Sequence, residues 1–150
     1  MAQRRRLGSE SPTILKTCYN KFMRKLFITL LFFMALSAIV GGFDLAFNSN
    51  RWMKLPQEFI ADSFGSFVIP GLILLFVIGG TNLIAGIAVL KRNKWAIEWS
   101  AVAGCGLMIW FFTELYIFRD TNPVQIVYFS VSMAILVMTF LAQKYKFVEN

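Results

Sequence analysis

The amino-acid sequence predicts an all-α polytopic membrane protein with four transmembrane helices in an antiparallel bundle. Four long apolar stretches occur, at about residues 26–47, 66–90, 95–118 and 123–141. Each has about the 20 residues that a helix needs to cross a bilayer. Hydrophobic residues make up 57% of the chain, above the roughly 45–50% of soluble proteins. Because lipid offers the backbone no hydrogen bonds, these stretches are expected to be helical.

The same pattern predicts the domain organisation. A chain of 150 residues with four spans leaves no room for a soluble catalytic domain. We therefore expect a basic cytoplasmic N-terminal segment over residues 1–25, a four-helix transmembrane domain over 26–141 and a cytoplasmic tail over 142–150.

The distribution of basic residues predicts the orientation of the bundle. Of the 15 lysines and arginines, seven precede the first span, three separate the second from the third, and two follow the fourth. The other three, Arg51, Lys54 and Arg119, belong to the opposite side. The positive-inside rule then places both termini in the cytoplasm. No nucleic-acid recognition motif accompanies the charge, so nucleic acid is not an expected partner.

The N-terminal segment leads into the first span. Residues 1–12 are predicted to be disordered, and apolar residues at helical spacing over 14–22 predict a short interfacial helix. A basic leader before an apolar stretch also fits a signal peptide. The stretch over 26–47 is longer than the usual hydrophobic region of about 7–15 residues, so a retained membrane helix is favoured.

Small residues four apart occur in every span and predict close helix packing. The small-residue pairs are Ser37/Gly41, Ala38/Gly42, Thr81/Ala85, Ser100/Gly104, Ala101/Cys105 and Ser130/Ala134. Pro70 is expected to begin the second helix. Asn82 and the neighbouring Gly79 and Gly80 are expected to lie at a helix–helix contact.

The connections between the spans also carry predictions. The loop over about 48–65 is predicted to be an amphipathic segment at the outer interface. The connection over 91–94 predicts a tight turn that makes the second and third spans antiparallel neighbours.

Polar residues at the outer ends of the spans form the candidate ligand-binding site. Asp44, Glu114 and Gln125 are expected at similar depth, with Arg119 close to that level. Acids within a span usually face protein or a water-filled cavity. One hypothesis is an outward-opening pocket for a ligand, a quinone head group, an ion or a proton. The alternative is a structural ion pair between an acid and an arginine.

Asn82, in the inner half of the second span, is the remaining candidate site residue. An uncharged amide at this depth is expected to donate or accept an interhelical hydrogen bond. A contact with a substrate is the alternative hypothesis.

The sequence lacks the residues that several kinds of catalytic and metal-binding site require. The chain has no histidine, and its two cysteines are far apart in sequence. Haem ligation by histidine and histidine-based metal clusters are therefore not expected. No phosphate-binding loop or nucleophile elbow occurs. We predict a protein that is not an enzyme, with no cofactor and no metal site.

The layout resembles that of small bacterial four-helix membrane proteins, namely the DoxX-like group and its uncharacterised relatives. The likeness rests on Gly41-Gly42-Phe43-Asp44, Leu55-Pro56, the glycine-rich second span from Ile69-Pro70-Gly71 to Gly86, and the Trp110-x-x-x-Glu114 step. This resemblance implies a bacterial inner membrane and no particular activity.

Two functions follow from these observations. The favoured hypothesis is a non-enzymatic accessory or scaffold subunit, partnered by the lipid bilayer and by other membrane subunits or further copies of itself. The alternative is a small transporter or a ligand- or quinone-binding membrane protein that uses the outer acidic cluster.

Overall fold

The structure is a computed structural model that describes residues 3–48, 51, 66–118, 123–145 and 148. Within these ranges the chain is helical without strands, and four helices are long and apolar enough to cross a membrane. The predicted fold class and four spans are therefore confirmed. The helices are α1 (Gln3–Phe47), α2 (Val68–Leu72), a π-helical segment (Ile73–Gly79), α3 (Gly80–Leu90), α4 (Ala96–Phe118) and α5 (Pro123–Tyr145).

The apolar parts of these helices form four spans. They are Cys18–Phe47, Val68–Leu90, Ala96–Tyr116 and Gln125–Tyr145, called the first to fourth spans below. We call the end of the bundle where the first span finishes the loop end. The opposite end, where the second span meets the third, is the terminal end. The predicted amphipathic segment over 48–65 lies almost entirely outside the described residues.

The N-terminal segment differs from the prediction. The first helix begins at Gln3 and continues without interruption into the span, so the predicted disorder is wrong for residues 3–12. Extending an existing helix adds one hydrogen bond for each residue fixed, and only nucleation is costly. A long apolar helix therefore provides the nucleus from which the polar segment extends.

The second span changes its helical type part of the way across. Pro70 lies in the first turn, as predicted, and the π-helical segment follows over Ile73–Gly79. Two side chains donate to carbonyls near the end of this segment: Thr81 Oγ1 to Val77 O at 2.6 Å and Asn82 Nδ2 to Ile78 O at 2.8 Å. These bonds occupy backbone acceptors where lipid supplies no donors.

The connection between the second and third spans is a compact turn, as predicted. Arg92 has a positive φ of 53°. Its N–H donates to Val89 O, and the N–H of Asn93 donates to Ala88 O at 2.9 Å, the two bonds of a Schellman motif. The Asn93 side chain then accepts from Trp95 N at 3.2 Å. Both helix ends are thus capped within five residues.

The four spans pack unequally. The first packs extensively against the second, the second and fourth each pack against the third, and the first touches the fourth only sparsely. Buried apolar side chains from all four spans form one core, among them Phe27, Leu31, Val89 and Ile135. The contact between the first and fourth spans is therefore the weakest among neighbouring spans.

Candidate functional site

A cavity of about 60 Å³ lies between the four spans. The first span contributes Met34, Ser37 and Ala38, the second Leu74 and Ile78, and the fourth Tyr128. The third span contributes Leu107, Trp110, Phe111 and Glu114.

Helical periodicity explains why these residues share the cavity. In the third span, Leu107, Trp110, Phe111 and Glu114 recur at i, i+3, i+4 and i+7, which is one face of an α-helix. The first-span residues follow the same i, i+3, i+4 spacing. Leu74 and Ile78 both belong to the π-helical segment. This unusual segment therefore forms one wall of the cavity, and π-helical turns are frequent at functional sites.

The carboxyl group of Glu114 is held by its neighbour one turn earlier. The indole Nε1 of Trp110 donates to Glu114 Oε1 at 2.6 Å. The i, i+4 spacing places the two side chains on the same face of the helix. Trp110 thus orients one carboxyl oxygen while its ring remains part of the cavity wall.

A second polar contact joins the first span to the fourth. Ser37 Oγ and Tyr128 Oη lie 3.0 Å apart in a hydrogen bond, and both residues line the cavity. Next to it, the rings of Phe111 and Phe129 pack with centroids 4.8 Å apart and hold the third span against the fourth. The cavity is therefore bounded by aromatic rings on one side and by a hydroxyl pair on another.

The volume limits what the cavity can hold. An engineered protein cavity of about 150 Å³ accommodates benzene. At about 60 Å³, this cavity holds a few waters or a group of a few heavy atoms. A quinone ring with its substituents is larger than benzene, so the cavity volume gives the quinone-binding alternative no support.

The electrostatic character of the site comes from Glu114. Within the described residues Glu114 has a hydrogen bond from Trp110 and no ion pair with an arginine or lysine. Trp110, Phe111 and Tyr128 present aromatic rings to the same cavity. A carboxylate beside aromatic rings is a favourable environment for a small cation, because the ring faces carry negative potential.

Of the four predicted site residues that the structure describes, Glu114 alone lines the cavity. Asp44 is fully buried nearer the loop end and accepts a hydrogen bond from Asn48 Nδ2 at 2.9 Å. Gln125 is also buried, at the third residue of α5. Arg119 lies outside the described residues. Asp44 and Gln125 are thus buried but do not line the cavity with Glu114.

Asn82 has a different role from the one expected. Its Nδ2 donates to Ile78 O in its own helix rather than across to a neighbouring span. Its Oδ1 is buried and has no hydrogen-bond partner in the described part of the chain. The interhelical bond was expected because amides in membrane helices commonly bond across the interface. Here the π-helical segment presents a closer acceptor.

Sequence reasoning missed several cavity residues. The Trp110–Glu114 bond could have been found, because indole and carboxyl groups four apart on a helix lie within reach. The Ser37–Tyr128 bond has no local signal, since the two residues are 91 positions apart.

Comparison with known proteins finds no matching family model, curated protein or solved structure. In the described ranges, no group of three or more His, Cys, Asp or Glu residues is placed to hold a metal ion.

Proposed function

We propose that this protein is a non-enzymatic, multi-pass membrane protein that binds the cationic head of a small amphiphile in the cavity at Glu114. The observation that supports this proposal is the placement of a membrane-embedded carboxyl group in a cavity with aromatic walls. The resemblance of the sequence layout to DoxX-like proteins favours a bacterial inner membrane as its location. The accessory or scaffold role stays a prediction, because it has no comparable feature in its favour.

Charge selects the class of ligand. An acid within a span is costly unless a partner or water compensates it. In the described residues, the hydrogen bond from Trp110 is directed at one oxygen only, Oε1. An ammonium group supplies both a positive charge and N–H donors for the carboxylate. It also interacts favourably with the faces of Trp110 and Tyr128.

Size and polarity select the shape of the ligand. A cavity of about 60 Å³ admits an ammonium group and one or two attached carbons. The sparse contact between the first and fourth spans gives an alkyl chain a route towards lipid. A primary alkylamine, with a compact charged end and an apolar tail, satisfies both conditions.

The test compares a short alkylamine with its uncharged analogue. Hexylammonium and hexanol are titrated into the detergent-solubilised protein by isothermal titration calorimetry. We expect hexylammonium to bind and hexanol to bind at least about tenfold more weakly. A hydrogen bond to a charged group is worth about 1.5–3 kcal/mol, and about 1.4 kcal/mol corresponds to a factor of ten.

Two variants test whether hexylammonium binding depends on Glu114. Glu114→Gln should weaken hexylammonium binding by at least about tenfold. Glu98→Gln removes the same charge from the same helix at an exposed position and should leave binding unchanged. Equal affinity for the amine and the alcohol, or unchanged amine binding in folded Glu114→Gln, would contradict the proposal.

A further inference from the structure

Arg24 occupies a position on the first helix that its neighbouring cations do not share. Phe27 and Leu31, three and seven residues later, are fully buried, so Arg24 lies on the helix face that turns towards the core. Lys21 and Lys25 are exposed to the surroundings. The structure thus separates one partly buried guanidinium from the solvated lysines on either side.

The guanidinium group of Arg24 lacks acceptors. Its Nε and Nη1 atoms are buried and have no hydrogen-bond partner in the described part of the chain. Those two nitrogens carry three of the five N–H donors of an arginine. Burying a charged group without hydrogen bonds is costly. An acceptor supplied by another molecule would remove that cost.

The depth of Arg24 indicates which acceptors are available. The first span, Cys18–Phe47, includes Arg24, but its uninterrupted apolar stretch begins only at Leu26. Arg24 therefore lies about 3 Å beyond that stretch along the helix axis. The polar headgroup layer is about 5–7 Å thick on each side of the hydrocarbon core. Arg24 therefore lies at the level of lipid phosphate groups. Lys25, the next residue, and Lys21, one turn earlier, add positive potential that attracts anionic lipids.

We propose that Arg24 forms a binding site for a phosphate group at the terminal end of the bundle, with an anionic phospholipid as its source. Guanidinium groups bind phosphate through several parallel hydrogen bonds, whereas an ammonium acts as a point charge. Arg24 as a whole is only partly buried, so a change of its side-chain rotamer would bring the buried nitrogens to the surrounding headgroup layer. This site is separate from the cavity at Glu114 and does not depend on its ligand.

The experiment measures lipid binding by native mass spectrometry of the full-length protein in detergent. Phosphatidylglycerol is titrated against phosphatidylcholine. In a second series, phosphatidylglycerol and inorganic phosphate are each added to the protein, and protection is measured as the rise in the temperature of thermal unfolding. We expect phosphatidylglycerol to bind in preference to phosphatidylcholine. Arg24→Gln should weaken that binding by at least about tenfold, the loss typical of a charge-assisted hydrogen bond.

Lys25→Gln is the matched control, because it removes one positive charge from the adjacent residue at an exposed position. It should retain most of the phosphatidylglycerol binding. Arg24→Lys keeps the charge but loses the planar fork, and should bind with intermediate affinity. If Arg24→Gln does not fold, the phosphatidylglycerol binding of Arg24→Lys tests the proposal instead.

The outcomes separate the possible sources of the phosphate. Protection by phosphatidylglycerol alone, dependent on Arg24, supports a lipid site. Equal Arg24-dependent protection by millimolar inorganic phosphate supports the same site with a soluble anion as its ligand. Equal losses in the Arg24 and Lys25 variants would show general charge attraction and overturn the proposal. Wild-type binding in Arg24→Gln, or in Arg24→Lys where only that variant folds, would overturn it as well.

Discussion

The first span has two very different neighbours. Against the second span its backbone is in direct contact: a Cβ atom built on Gly42 would lie 2.5 Å from Leu75 N and 2.7 Å from Gly71 O. Towards the fourth span, by contrast, the described contacts are sparse, and the Ser37–Tyr128 hydrogen bond borders a cavity. On one face of this helix, glycines allow the backbones of the first and second spans to touch. On another face, larger side chains border a cavity.

This difference in packing indicates where the bundle can accommodate a ligand. Lipid gives helices no hydrophobic drive to associate, so close backbone packing is the main source of their attraction. The contact at Gly42 and Gly71 supplies that packing and fixes the first two spans relative to each other. The fourth span therefore does not need an equally close backbone contact with the first span. The cavity with Glu114 borders this loosely packed boundary at Ser37 and Tyr128.

The largest effect is expected from Gly42→Ala. The new methyl group would meet three backbone atoms closer than 3.0 Å, so the two helices must separate. We expect a loss of about 1–3 kcal/mol in the free energy of unfolding, despite the better helix propensity of alanine. Unfolding in sodium dodecyl sulfate, followed by circular dichroism, measures this loss. Unchanged stability would show that the close contact does not support the fold.

An intermediate effect is expected at the boundary between the first and fourth spans. Ser37→Ala and Tyr128→Phe each remove one partner of the 3.0 Å hydrogen bond. Hydrogen bonds of this kind contribute about 0.6–1.5 kcal/mol. The double variant should therefore lose less stability than the sum of the single variants, with a coupling energy of that size. Additive losses would indicate that the bond contributes nothing to the closure of the bundle.

The sequence predicts the fold well because the relevant signal is local. Span length and hydropathy decide that four helices form, and the capped turn around Asn93 follows from its short connection. The site is harder to predict, since it depends on which helix faces meet. Ser37 and Tyr128 meet only after all four spans have packed. In the sequence, Arg24 is one of seven N-terminal cations, and only the helix phase set by Phe27 and Leu31 distinguishes it.

The glycine pair in the second span illustrates the same limit. Both Gly79 and Gly80 were expected to pack at a helix contact. A Cβ atom on Gly79 would lie 2.7 Å from Ile39 Cγ1, whereas one on Gly80 would meet nothing within 4 Å. The expectation is confirmed for Gly79 and wrong for Gly80. Two adjacent residues on a helix differ by about 100° in direction, and composition alone does not select between them.

The smallest expected effect is at Gly80, and its sign is opposite to that at Gly42. Gly80→Ala places a methyl group in open space within a helix. Alanine loses less backbone entropy than glycine on folding, so stability should rise by up to about 0.5–1 kcal/mol. Gly79→Ala is the matched control: it should be destabilising, though less than Gly42→Ala, because the Ile39 side chain can shift where a backbone cannot. The same denaturation in sodium dodecyl sulfate measures both. A loss of stability in Gly80→Ala would mean that this glycine packs against a partner after all, and the tight contact would then extend further along the second span.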